Sequence, residues 1–263
     1  MSSSPAANDL ARIAGALADA AAAQSLAFFR TPLDIITKAD ESPVTLADRA
    51  AETAMREILG ARCPADGIYG EEHGLERVDA ARVWVLDPID GTRSFITGSP
   101  LWGTLIGVVE KTAEGERIVF GMVDMPVLKE RWVGQDGVAT RNGLAVRVRD
   151  CTRVADARIV TTSPDIFEPA DWTAFDRLSR RCAMRRFGGD CYGYAQLAGG
   201  TIDLVVETGL QPYDYLGPAG LIEAAGGIVT DWQGRPLGLQ SDGRVIAAAT
   251  PALHREALDI LNA

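Results

Sequence analysis

The sequence predicts an α+β protein whose sheets and helices pack into one layered body. Residues 10–29 repeat apolar side chains at helical spacing, which predicts a long first helix. Residues 104–133 contain three strand patterns, and the Asp-Gly and Asn-Gly pairs that follow are hairpin signals, so an antiparallel meander is expected. After Asp150 strand and helix patterns alternate, which indicates a second, mixed sheet.

The chain divides by pattern into an N-terminal half, residues 1–150, and a C-terminal half, residues 151–263. The first half contains the antiparallel-rich sheet, and the second contains the α/β pattern. No low-complexity linker separates them. We therefore expect the two halves to share one continuous body.

Composition excludes several classes of function. The formal net charge of −10 and the absence of basic runs argue against a nucleic-acid or anionic membrane partner. Charged residues interrupt the Ala-rich first helix, which argues against a signal peptide and a membrane span. The four cysteines lack C-x-x-C spacing and the chain has only two histidines, so the pattern argues against zinc and favours a reducing cytoplasm.

The segment V-W-V-L-D-P-I-D-G-T-R-S-F at residues 83–95 is central to the chain. Its four leading apolar residues predict a strand buried on both faces. Pro88 cannot donate a ladder hydrogen bond and Gly91 permits an unusual backbone, so the strand should end in a turn that presents Asp87 and Asp90. Two carboxylates in one small loop repel each other unless a cation lies between them, which predicts a divalent metal site.

An ordinary surface turn is the alternative interpretation of D-P-x-D-G, because Asp, Pro and Gly are common turn residues. The preceding apolar strand and the G-E-E turn at residues 70–72 favour the metal site. The run D-P-I-D-G-T resembles the signature of the inositol monophosphatase family, whose members are magnesium-dependent, lithium-sensitive phosphatases. This resemblance implies a layered αβαβα sandwich of the sugar-phosphatase type.

The resemblance also implies a ligand set and a mechanism. Two or three Mg²⁺ ions are expected to activate water for hydrolysis of a phosphate monoester without a phosphoenzyme. Glu71 and Thr92 are expected to orient this water and accept its proton, with Asp48 at the edge of the cluster. The backbone amides of Gly91 and Thr92 are expected to bind phosphate oxygens. The implied metal ligands are Glu71, Asp87, the carbonyl of Ile89, Asp90 and Asp214.

Structural roles remain open for some of these residues. Thr45 and Asp48 have the spacing of a capping box on a helix over residues 45–59, although the K-x-D-x-S-P-V-T-x-A-D pattern of the family places this aspartate near the metals. Asp214 could cap the helix that follows it, although Y-D at 213–214 resembles the W-D motif of the family. His73 lies in a polar loop, where a solvated surface role is expected.

Substrate choice is expected to depend on Asp190 and Glu207. Each has a structural alternative, a helix cap for Asp190 and a strand end for Glu207. The strings G-T-R-S-F and G-D-C-Y resemble the histidinol-phosphate phosphatase branch of the family, and two acids would suit an amine-bearing alcohol. An inositol monophosphatase, a 3′-phosphoadenosine 5′-phosphate phosphatase and a non-catalytic relative are the alternatives. The family also implies a homodimer.

Overall fold

The computed structural model describes residues 7–31 and 43–263. Part of the pattern that places Asp48 near the metals, residues 38–42, lies outside these ranges, and for Thr45 only the backbone is described. The helix that carries Asp48 begins at Pro43, so Thr45 is a helical residue and does not occupy the predicted capping position. No helix in the described ranges is long and apolar enough to cross a membrane.

The first sheet has eight strands in the order β2-β1-β3-β4-β5-β6-β7-β8. β1 and β3 are parallel, and every other neighbouring pair is antiparallel, which confirms the predicted meander. The strands are β1 (Gly67–Gly70), β2 (Gly74–Glu76), β3 (Arg82–Asp90), β4 (Gly103–Thr112), β5 (Gly115–Met125), β6 (Glu130–Gln135), β7 (Val138–Arg141) and β8 (Leu144–Val146).

The second sheet has five strands in the order β10-β9-β11-β13-β12, with both parallel and antiparallel pairs. It is therefore mixed, as the alternating pattern predicts. Its strands are β9 (Arg158–Thr161), β10 (Met184–Phe187), β11 (Leu204–Glu207), β12 (Ile228–Thr230) and β13 (Val245–Ala248). The helices are α1 (Ala7–Phe28), α2 (Pro43–Arg62), α3 (Thr92–Ile96), α4 (Pro169–Ser179), α5 (Cys191–Ala198), α6 (Pro212–Ala224) and α7 (Pro251–Leu261).

The elements stack in five layers, which confirms the αβαβα sandwich. α1 and α2 pack on one face of the first sheet through a core that includes Leu17, Met55 and Trp84. α5 and α6 fill the space between the two sheets. α4 and α7 cover the outer face of the second sheet through residues such as Phe175 and Leu253. The helices of the middle layer come from the C-terminal half but contact both sheets.

Candidate functional site

The first part of the site is the end of β3. The strand is buried from Arg82 to Ile89, because its apolar residues face cores on both sides of the sheet. Gly91 follows with a φ of 84°, a left-handed conformation that favours glycine, and α3 then begins. The Thr104 hydroxyl donates to the Pro88 carbonyl at 2.8 Å and holds the turn from the neighbouring strand.

The second part is the first turn of α6, which carries Asp214. The helix begins after Gln211, so Asp214 is its third residue and not its N-cap. The Gln211 backbone N–H donates to Asp214 Oδ2 at 2.7 Å, which satisfies an amide at the helix start and fixes the carboxylate. The position of this acid is therefore tied to the position of α6.

Asp87, Asp90 and Asp214 form one cluster, with an oxygen of each lying within 4.8 Å of the others. One backbone amide donates to each acid: Ile89 N to Asp87 Oδ1 at 3.0 Å, Cys191 N to Asp90 Oδ2 at 2.7 Å and Gln211 N to Asp214 Oδ2. These bonds orient each carboxylate through one oxygen. Together the three carboxylates can offer oxygen ligands to one cation.

Within residues 7–31 and 43–263, the groups that shift the pKa values of the clustered acids are mainly other carboxylates. Burial raises the pKa of Asp87 and of Asp90 well above the ordinary aspartate value, and the surrounding carboxylates add to the effect. Burial, with a smaller contribution from Glu71, raises the pKa of Asp214 to about 7. Burial is also the main reason why the pKa of Glu71 is raised. Such acids are stabilised in their ionised form when a metal supplies positive charge.

Asp48 provides a direct test of whether the site fits a metal. Asp48 is only 5% exposed, and its Oδ1 atom is buried without a hydrogen-bond partner among the described residues. Burial, followed by Glu71, Glu72 and Glu52, raises the pKa of Asp48 to about 8. A buried oxygen without a partner beside an all-carboxylate cluster suits a hard cation that prefers oxygen ligands, so the residues fit the expected metal.

The adjacent glutamates Glu71 and Glu72 have different surroundings. Glu71 makes a side-chain contact with Asp87 of the cluster, whereas Glu72 lies 3.5 Å from the Arg49 guanidinium. Glu52 holds this turn, because it accepts the Glu72 N–H at 2.7 Å. The sequence patterns considered above did not indicate a role for Glu52, although its spacing of four residues from Asp48 on one helix was an available signal.

The loop after Asp90 contains Gly91 and Thr92, whose backbone amides are expected to bind phosphate. The Thr92 hydroxyl lies 3.4 Å from the Ile89 carbonyl, the expected main-chain ligand. The N-cap residue of α3 is Gly91, which has no side chain that could cap the first amides of the helix. Gly91 and Thr92 therefore remain suitable for binding an anion.

Asp190 lies at the N-cap position of α5, but its side chain makes no capping bond. Instead, the Ser94 hydroxyl donates to Asp190 Oδ2 at 2.7 Å. Asp190 has a φ of 44° and follows two glycines that also have positive φ. No local pattern predicts the contact between Ser94 and Asp190, because the two residues are 96 positions apart in the chain.

Glu207 lies at the end of β11 and is only 3% exposed. The Thr162 N–H donates to its Oε1 atom and the Tyr194 hydroxyl donates to its Oε2 atom, both at 2.8 Å. A carboxylate has about four acceptor positions, so two further positions remain. Burial raises the pKa of Glu207.

The two histidines lie in structural positions. His73 Nε2 is 3.0 Å from the Thr53 hydroxyl on α2. His254 is buried, its Nε2 atom is 2.7 Å from the Thr230 hydroxyl, and burial lowers its pKa. Both rings are therefore engaged with hydroxyl groups outside the acidic cluster.

Comparisons with known proteins agree with this geometry. The bifunctional phosphatase IMPL2, chloroplastic, of Arabidopsis thaliana is 42% identical over 261 residues, covering 95% of this chain and 74% of that protein. A histidinol-phosphatase of Streptomyces coelicolor is 36% identical over 259 residues, covering 95% and 96%. An inositol monophosphatase structure from Zymomonas mobilis superimposes with a TM-score of 0.91 and 47% identity, covering 99% of this chain and 100% of that chain.

The family assignment covers nearly the whole chain. The model of the inositol monophosphatase family matches residues 4–263, which include every element of both sheets. The match therefore includes the end of β3 and the start of α6, where the three clustered aspartates lie. The chain belongs to the inositol monophosphatase family of metal-dependent phosphatases.

Proposed function

We propose that this protein is a Mg²⁺-dependent phosphatase that hydrolyses L-histidinol phosphate to L-histidinol and phosphate. The observation that carries this proposal is the Asp190 carboxylate, which the Ser94 hydroxyl holds beside the loop that follows Asp90. The similarity to histidinol-phosphatases supports the same substrate. The reaction would belong to histidine biosynthesis.

The proposed metal site consists of Glu71, Asp87, the Ile89 carbonyl, Asp90 and Asp214, and we propose that it holds two or three Mg²⁺ ions. Bound Mg²⁺ would acidify water and neutralise charge on the phosphate and the leaving oxygen. The clustered oxygens of Asp87, Asp90 and Asp214 support this assignment. Asp48 would act at the edge of the cluster through its unpartnered buried oxygen.

The remaining residues of the loop would position the reacting groups. The backbone amides of Gly91 and Thr92 would donate to phosphate oxygens at the start of α3. The Thr92 hydroxyl would orient the attacking water and Glu71 would accept its proton.

Substrate choice would come from the alcohol side, since phosphate and metal contacts are common to all phosphate esters. Asp190 Oδ2 is engaged by Ser94, so Asp190 Oδ1 would accept a hydrogen bond from the substrate ammonium group. Glu207 would add negative charge from the second sheet. Hydrogen bonds to charged groups contribute about 1.5–3 kcal/mol, so an amine-bearing ester would be preferred over a neutral one by roughly tenfold to a hundredfold.

Two substitutions at Asp190 test this proposal. Asp190→Ala and Asp190→Asn should each lower kcat/KM for histidinol phosphate by roughly tenfold to a hundredfold. Hydrolysis of p-nitrophenyl phosphate, which lacks an ammonium group, should barely change. Asn keeps the size of the side chain and tolerates positive φ, so it is the matched control for a local structural effect. Equal losses on both esters would show that Asp190 has only a structural role.

An inositol-1-monophosphatase is the second candidate function. The 47% identity to the Zymomonas mobilis inositol monophosphatase favours it. Every proposed metal ligand would be shared, and only the alcohol pocket would differ. A phosphate-release assay that compares inositol 1-phosphate with histidinol phosphate, each with and without Mg²⁺, distinguishes the two functions. We also expect inhibition by Li⁺, since this small cation could compete for a metal position.

We further propose a cytoplasmic homodimer. The cytoplasmic location is consistent with the four cysteines, all of which are free. The dimer is consistent with the edge strand β10, which exposes the apolar side chains of Met184 and Phe187. Light scattering on the purified protein measures the mass of the assembly, and a monomer would contradict this part of the proposal.

A further inference from the structure

Three glycines lie side by side on the face of the first sheet that contacts α6. Gly107 on β4 pairs with Gly121 on β5, and Gly121 pairs with Gly134 on β6. We call these three residues the glycine row. None of them has a positive φ, so an alanine could adopt the backbone conformation at each position. The reason for glycine at these positions is therefore space and not backbone conformation.

The space above the glycine row is filled by the backbone of α6. A Cβ atom on Gly121 would lie 2.2 Å from the Gly217 carbonyl oxygen, and one on Gly134 would lie 2.5 Å from Leu221 Cα. At Gly107 the nearest atom, Gly217 N, would be 3.0 Å away. Because these neighbours are backbone atoms, no side chain can move aside to make room.

The helix contributes its own glycines to this contact. A Cβ atom on Gly217 would lie 3.1 Å from the backbone of Ile106, and one on Gly220 would lie 2.9 Å from Gly121 N. Helix and sheet therefore meet backbone to backbone at these positions. This spacing is closer than any pair of larger residues allows.

The clustered aspartates lie on both sides of this contact between helix and sheet. Asp87 and Asp90 lie at the end of β3 in the same sheet, whereas Asp214 is fixed to the first turn of α6. If the helix moved away from the sheet, Asp214 would move away from the other two carboxylates. An alanine at Gly121 requires about 1 Å of additional separation before its contact becomes an ordinary one. Metal sites tolerate only about 0.2 Å of error in ligand distance.

We propose that the glycine row positions Asp214 for metal binding, and that it makes the site selective for a small cation. This inference relies on the metal site proposed above. Mg²⁺ requires ligand distances of about 2.0–2.1 Å and near-ideal octahedral geometry, whereas Ca²⁺ accepts about 2.3–2.6 Å and irregular geometry. A wider site should therefore lose affinity for Mg²⁺ more than for Ca²⁺. The ratio of the two affinities reports the spacing between helix and sheet.

The experiment measures Mg²⁺ and Ca²⁺ binding by isothermal titration calorimetry on the full-length, EDTA-treated protein. Gly134→Ala and Gly121→Ala should weaken Mg²⁺ binding by about tenfold or more, and Ca²⁺ binding by less. Gly107→Ala, with the mildest contact, should shift the ratio in the same direction by a smaller factor. If Gly121→Ala does not fold, the other two variants still provide the comparison.

The matched control is Val123→Ala, two residues from Gly121 on β5 and buried in the same core. It removes volume without forcing α6 outward, so it should lower the melting temperature and leave the Mg²⁺/Ca²⁺ ratio unchanged. The inference is overturned if the glycine variants keep the wild-type ratio, or if Val123→Ala shifts it equally. If the wild-type protein binds no Mg²⁺, the proposed metal site itself is wrong, and the inference fails with it.

Discussion

Asp203 and Asp87 are both buried carboxylates, but their neighbours differ in charge. Asp203 is fully buried and receives two hydrogen bonds from the Arg149 guanidinium, both at 2.7 Å. Asp87 is 1% exposed, and the groups that raise its pKa besides burial are Glu71, Asp90, Asp214 and Asp48.

Other buried acids are also paired with arginines. Asp124 lies 2.6 Å from Arg131 and Glu52 lies 2.7 Å from Arg56. The fold therefore neutralises buried acids with arginine in several places, whereas in the cluster the neighbours of Asp87 are other acids. Unbalanced buried charge is costly unless a cation compensates it. The comparison indicates that the cluster depends on a cation from solution.

Removing one charge from the cluster should have the largest effect on activity. Asp90→Asn keeps the size of the side chain but removes a charged ligand, so we expect Mg²⁺-dependent hydrolysis to fall by about a thousandfold or more. The metal-free variant should be at least as stable as the wild type, because like-charge repulsion decreases. Steady-state kinetics and thermal melting in EDTA measure the two quantities. Near-normal turnover would contradict the metal assignment.

Removing the charge of an acid that is paired with an arginine should instead lower stability and leave turnover nearly unchanged. Asp203→Asn breaks a bidentate pair and weakens the bond from Arg158 N, so we expect about 2–3 kcal/mol less stability. Turnover of the folded variant should stay within about twofold of the wild type, because distant sites act independently. Urea denaturation and kinetics test both parts. A variant that loses activity but keeps its stability would contradict a purely structural role for Asp203.

The pH dependence of stability should report the unbalanced charge of the cluster. The pKa values of Asp214, about 7, and Asp48, about 8, lie above the ordinary aspartate value. At pH values between the ordinary aspartate pKa and these raised pKa values, the folded protein binds more protons than the unfolded chain. Its stability therefore falls as pH rises through this interval. For the metal-free protein we expect a loss of about 1–3 kcal/mol between pH 6 and pH 8.

Mg²⁺ should reverse this trend, because metal ligands must be deprotonated to bind. Melting curves in EDTA and in saturating Mg²⁺ at several pH values measure the difference. The stabilisation by Mg²⁺ should be larger at pH 8 than at pH 6. A metal-free protein that gains stability over this interval would argue against unbalanced charge in the cluster.

Asp190 is intermediate between the arginine-paired acids and the clustered acids, because its partner Ser94 is a neutral hydrogen-bond donor. Ser94→Ala should lower kcat/KM for histidinol phosphate by roughly fivefold, which corresponds to about 1 kcal/mol for one hydrogen bond. Hydrolysis of p-nitrophenyl phosphate should be unchanged. In the Asp190→Ala background the Ser94→Ala change should have no further effect on the preference. Additive effects of the two substitutions would show that Ser94 acts independently of Asp190.

Local patterns predicted the elements that carry the cluster. The apolar run ending in D-P-I-D-G-T predicted the buried strand and the turn that presents Asp87 and Asp90. These features depend on contacts within a few residues. The order of strands within each sheet depends on long-range pairing, which no local pattern specifies.

The features that the sequence did not predict depend mainly on contacts between residues that are distant in the chain. β10, with the sequence M-R-R-F, lacks the alternation of a typical strand and was not predicted. The Ser94 contact with Asp190 and the bond from Cys191 N to Asp90 each join the two halves. Only the folded arrangement reveals that Asp190 is held by a hydroxyl and not by the helix that it precedes.

The middle layer of helices has a consequence for how the protein is synthesised. All strands of the first sheet precede residue 147, but α5 and α6, which cover one of its faces, leave the ribosome later. A nascent or truncated chain that ends near residue 150 would expose this apolar face and lack Asp214. Mg²⁺ would therefore stabilise only chains that have been completed beyond α6, because a ligand stabilises the state that binds it.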